Sequence, residues 1–146
     1  MTRQEDATIY FADTFNCSQA VFTSFGKELG VTEDLCLKIG TAFGGGMARR
    51  QYTCGAVAGG LMALGLYFER GLEDDISKKE FTYCKTEEFF KEFEKRNGSV
   101  TCKDLLQGLD MNNPVDRKKI EESGLLQTSC VKYVRDAVEI VEILTN

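Results

Sequence analysis

Six cysteines in a chain with no histidine define the chemistry open to this sequence. Without imidazole there is no His-based triad, no His general base and no His metal ligand, so reactive chemistry falls to thiols. A thiolate sulfur attacks disulfides and peroxides, and it ligates soft metals and iron–sulfur clusters. The six stand at positions 17, 36, 54, 84, 102 and 130, and no two form a Cys-x-x-Cys pair. Any site shared among them must be assembled by the fold from distant positions.

Four of the cysteines follow a residue that favours helix N-caps: Asn16-Cys17, Thr53-Cys54, Thr101-Cys102 and Thr128-Ser129-Cys130. Cys36 and Cys84 do not. This pattern predicts that Cys17, Cys54, Cys102 and Cys130 start helices. Free N–H groups and the positive end of the helix dipole stabilise a thiolate there. Four converging helix starts would make one pocket for concentrated negative charge, either four thiolates round a metal or an iron–sulfur cluster. Cys36 continues the apolar positions of its helix and reads as a small buried hydrophobe. Cys84 lies among aromatics in Phe81-Thr82-Tyr83-Cys84, where packing is again the plain reading.

Cys54 has the most telling neighbours. Ahead of it, Gly44-Gly45-Gly46 can bring backbone N–H groups close to a ligand, and Arg49 and Arg50 follow as two cations. With the helix start at Gly55, these predict a Cys54 thiol of lowered pKa, the attacking group in any metal-free chemistry. Behind it, Gly55, Gly59 and Ala63 recur every four residues and let a second helix approach closely.

The elements that must position these groups are helical. Amphipathic runs ending in glycine, with a single proline, predict an all-α bundle of about seven helices. The runs are 3–13, 17–29, 32–39, 54–70, 77–96, 102–107, 114–123 and 128–144, one or two of them single turns. Asn113-Pro114 reads as a helix entry, and Ser77 with Glu80 as a capping box. Val131, Val134, Val138 and Val141 put a docking stripe on the last helix. At 146 residues and 42% apolar, one domain over 1–146 is expected.

Net charge is −5 and no run approaches the roughly 20 apolar residues of a membrane span, so neither nucleic acid nor membrane insertion is expected. The start, MTRQEDATIY, lacks the pattern of a secretory signal. A reducing, cytoplasmic setting is therefore expected, with cysteines as ligands or reactive thiols rather than structural disulfides.

With Cys54-Gly55-Ala56-Val57-Ala58-Gly59 beside the early Cys17 and the later Cys102 and Cys130, the chain resembles the C_GCAxxG_C_C family of redox-active proteins. The glycine-rich approach to Cys54 is similar as well. The resemblance implies a redox role. A related domain in split-Soret cytochromes carries an iron–sulfur centre of the two-iron type, which implies Cys17, Cys54, Cys102 and Cys130 as ligands. The haem-attachment motif of those cytochromes is missing here, and Cys36 and Cys84 lie outside the family pattern.

The leading expectation is therefore a four-cysteine iron–sulfur cluster for electron transfer or sensing, with Gly44, Gly45, Gly46 and Gly55 near the cofactor. A metal-free thiol–disulfide oxidoreductase is the alternative; structural zinc or a helical interaction module is the third reading. The partner expected is a redox protein or a small-molecule oxidant or reductant, with a homodimer left open.

Overall fold

The computed structural model describes all 146 residues. Its helical segments are α1 (Arg3–Ala12), α2 (Cys17–Gly26), α3 (Glu33–Gly40), α4 (Gly44–Met47), α5 (Gly55–Phe68), α6 (Ser77–Asn97), α7 (Cys102–Leu105), α8 (Pro114–Ser123) and α9 (Val131–Leu144). Seven are helices of eight residues or more, while α4 and α7 are single turns. A 3-10 turn (Thr41–Phe43) precedes α4, and a π turn (Leu126–Cys130) runs straight into α9. The all-α expectation holds.

Local signals account for most of the starts. Asn16 and Thr2 head capping boxes with Gln19 and Glu5, and Asn113 accepts the N–H groups of Val115 and Asp116 with Pro114 at the first helical position. The box expected at Ser77 and Glu80 does not form. Ile76 caps α6, and the Ser77 N–H donates instead to Asp75 Oδ1 at 2.8 Å, because an aspartate two residues upstream reaches it first.

The core is built on α2 and α5. Ser18 to Gly26 are all buried. A Cβ at Gly59 would stand 2.7 Å from the Ser18 carbonyl oxygen and 3.2 Å from the Phe22 nitrogen, so only glycine lets the two backbones approach this closely. Phe89 and Phe93 from α6 and Val134, Ala137, Val138 and Val141 from α9 close round the pair. Each such buried phenylalanine or valine contributes about 1.5–3 kcal/mol. Val134, Val138 and Val141 of the expected α9 stripe dock on the core, whereas Val131 is only half-buried and stays outside it.

A second, smaller cluster joins Leu106, Ile120 and Leu125, with Cys102 and Cys130 packed against it. The chain between the two clusters is tied by one antiparallel bridge, Thr53 to Thr101. No helix is long and apolar enough to cross a membrane.

Candidate redox site

Cys17, Cys54, Cys102 and Cys130 all line one cavity of about 420 Å³, arriving from four different elements. Its wall also carries Gly44, Gly45 and Gly55; Gly46 is buried behind it. All six cysteines are free thiols.

Cys17 opens α2 directly after its cap. Asn16 Oδ1 accepts the Gln19 N–H at 2.9 Å and Gln19 Oε1 accepts the Asn16 N–H at 2.9 Å. The remaining amide protons reach outward, from Asn16 Nδ2 to the Thr41 carbonyl (3.0 Å) and from Gln19 Nε2 to the Leu37 carbonyl (2.9 Å). One capping box thus fixes both Cys17 and the end of α3 beside it.

The glycines make room for sulfur. Any side chain at Gly55 would collide with Cys17 Sγ, and a Cβ at Gly46 would lie 2.7 Å from the Cys102 Cβ. The loop expected at Gly44–Gly46 is a tight turn: Gly45, Gly46, Met47, Ala48 and Arg49 have φ of 66°, 66°, 72°, 51° and 64°. Left-handed backbone costs roughly 1–2 kcal/mol at each non-glycine residue, so something must hold it. The buried Gln51 does, donating to the Leu109 carbonyl at 2.7 Å and accepting the Met111 N–H at 2.8 Å. Asn112 adds a 2.8 Å bond to the Arg49 carbonyl. So held, the turn aims the Gly45 N–H at Cys17 sulfur.

Cys54 is itself the N-cap of α5, and Thr53 makes no capping bond. Its N–H donates to the Val100 carbonyl at 2.7 Å, as the Cys102 N–H does to Tyr52 at 2.6 Å, which brings the two cysteines together. Cys102 follows its Thr101 cap as expected. Cys130 departs from expectation: the helix does not begin there, because the π turn from Leu126 carries helical backbone through it, and Thr128 Oγ1 bonds back to the Gly124 carbonyl. A π turn inside a helix rotates the residues that follow, and such insertions recur at functional sites.

The charge settles on an unexpected sulfur. Interaction with the adjacent Cys54 thiol, together with the N–H groups of Gly45, Cys17 and Ser18, outweighs burial and draws the Cys17 pKa down to about 7. Cys54 is pushed well above the ordinary thiol value by the same neighbour and by burial, against the pull of the Ala56 and Val57 N–H groups. The low-pKa thiol is thus Cys17, not Cys54. Cys102 and Cys130 are each pushed up to about 12 by burial, with the Cys17 charge adding to it.

Arg49 is the one charged side chain on the cavity wall, whereas Arg50 lies over the Tyr52 ring, 5.6 Å from its centroid, instead of flanking Cys54. Cys36 is fully buried under Gly26 and its pKa is raised by burial, while Cys84, expected to be packed, is exposed on the outer face of α6. Gln51 and Tyr133, whose hydroxyl donates to the Leu105 carbonyl at 2.9 Å beside the cavity, were not foreseen, since their partners are distant in the chain. The Asn16–Gln19 box has a readable spacing.

A family model described as "Putative redox-active protein (C_GCAxxG_C_C)" matches residues 15–144. The chain belongs to this family. It is also similar to an uncharacterized protein of Archaeoglobus fulgidus, 27% identical over 135 residues that cover 88% of this chain and 83% of the relative. No solved structure matches.

Proposed function

We propose that the cavity holds an iron–sulfur cluster through Cys17, Cys54, Cys102 and Cys130, and that the protein transfers or senses electrons there. The observation that carries the reading is the convergence of the four thiols on one cavity without a carboxylate on its wall. No group of three potential ligands is already arranged to grip a single metal ion. The donor set is soft sulfur, and N–H groups already point at Cys17 and Cys54 as they do at ligating thiolates. When bound, such a cluster supplies one-electron transfer. The chain's own part is to present the sulfurs, give up their protons and screen the centre with Leu105, Leu106, Met111 and Leu126.

The closeness of the Cys17 and Cys54 thiols on the cavity wall, with Cys17 Sγ against Gly55, favours a second reading, metal-free thiol–disulfide exchange. The Cys17 thiolate would attack a substrate disulfide and expel one thiolate, which takes up a proton. Cys54, losing its proton, would then attack the Cys17 sulfur and release the second substrate thiolate, leaving a Cys17–Cys54 disulfide and a reduced substrate. Purification without oxygen separates the two. The cluster reading expects coloured protein with iron and acid-labile sulfide that bleaches on reduction. Protein that stays colourless and iron-free after reconstitution, and gives a Cys17–Cys54 disulfide by peptide mass on oxidation, would replace it with the second.

A further inference from the structure

Resting on the cluster reading, we infer that Arg49 sets the potential of the centre and that its neighbour Arg50 does not. Arg49 is the lone charged side chain among the residues lining the cavity and takes part in none of the thirteen ion pairs of the structure. An arginine without a carboxylate, in a chain of net charge −5, has its field uncancelled by a bound partner.

Its placement is specified by the turn that serves Cys17. Arg49 has a φ of 64°, a conformation that favours glycine, and its carbonyl is pinned by Asn112. Its Cγ lies across Gly45, 3.0 Å from where a Cβ would be, and Gly45 is the residue whose N–H meets Cys17. The turn that aims a backbone dipole at the sulfur thus also fixes the guanidinium stem on the cavity wall.

The consequence follows from Coulomb's law. Four thiolates leave a cysteine-ligated cluster negative, and an added electron makes it more so. A nearby positive charge favours the reduced state and raises the potential. Because Arg49 is exposed, salt screens its effect, whereas a change in loop geometry would be insensitive to salt.

The test is a spectroscopic redox titration of reconstituted wild type and of Arg49→Gln, Arg49→Lys and Arg50→Gln. Arg49→Gln should shift the midpoint to lower potential, Arg49→Lys should keep most of the wild-type value, and Arg50→Gln should leave it in place. The Arg49→Gln shift should shrink as ionic strength rises from low to molar salt. A cluster that forms with an unmoved midpoint in Arg49→Gln, or with equal shifts in the Gln variants at 49 and 50, overturns this inference alone. A shift that lysine does not rescue and salt does not weaken also overturns it, in favour of a loop distortion. Wild-type protein that assembles no cluster overturns the proposed function and this inference together.

Discussion

Cys17 faces N–H groups from its own helix start and from Gly45, and the Cys54 thiol beside it adds to their effect. In metal-free protein its thiolate fraction should therefore rise as pH passes through about 7, while Cys102 and Cys130, held near 12, stay protonated. Alkylation at pH 7, read by peptide mass, should label Cys17 well ahead of Cys102 and Cys130, with its rate falling as pH drops below 7. Cys54→Ala removes the largest cause of the lowering and should move this profile to higher pH. A Cys17 rate no faster than that of Cys102 would contradict the assignment. The sorting of Cys17, Cys54, Cys102 and Cys130 from Cys36 and Cys84 was readable from sequence, but their meeting at one cavity and the place of the charge were not. Its location depends on which sulfur donates and which accepts, and the Cys54 partner is set by the crossing of α2 and α5. The capping residues that sorted the cysteines also act differently from one another: Asn16 and Thr101 cap, Thr53 pairs across to Thr101, and Thr128 bonds backward within the π turn.

Among the elements, the glycines of α5 divide by what they face. A Cβ at Gly59 would meet α2 backbone at 2.7 Å, while at Gly65 nothing lies within 4 Å. Gly59→Ala should cost roughly 1–3 kcal/mol by forcing the helices apart. Gly65→Ala should stabilise the protein by about 0.5–1 kcal/mol through helix propensity. Thermal or urea denaturation of the two variants gives the comparison, and equal effects would refute the close α2–α5 approach. That small face was visible as a four-residue repeat. The left-handed turn from Gly45 to Arg49 was visible only as three glycines, because Met47, Ala48 and Arg49 favour ordinary backbone and are held otherwise by Gln51 and Asn112. Cys84 misled for a similar reason. Aromatics flank it in sequence, yet the first half of α6 buries none of its residues, so Phe81 and Tyr83 stand exposed beside it.

On the scale of the molecule, the four cysteines bridge two hydrophobic clusters. Cys54 belongs to the main core with Cys17 packed on it, and Cys102 and Cys130 pack on the Leu106, Ile120 and Leu125 cluster. A group ligated by all four ties the clusters together, and binding to the folded form adds to its stability. Hydrogen exchange should therefore slow in α8 when the centre is reconstituted, more than in α2 or α5, which the main core already protects. Unchanged α8 exchange would mean that the small cluster is held without the cysteines. The all-α class and the helices of the main core were legible from glycine punctuation and caps. The division into two clusters was not, since it arises from Leu106 packing with Ile120 and Leu125, which lie beyond it in separate elements.

The central claim is that Cys17, Cys54, Cys102 and Cys130 form one redox centre. Iron and acid-labile sulfide, measured per chain after anaerobic reconstitution across six single Cys→Ser variants, test it most directly. The account expects stable binding to be lost or strongly reduced in each of the four cavity variants, and wild-type content in Cys36→Ser and Cys84→Ser protein that remains folded by circular dichroism. Full iron and sulfide in any cavity variant, or their loss in folded Cys84→Ser, would contradict it.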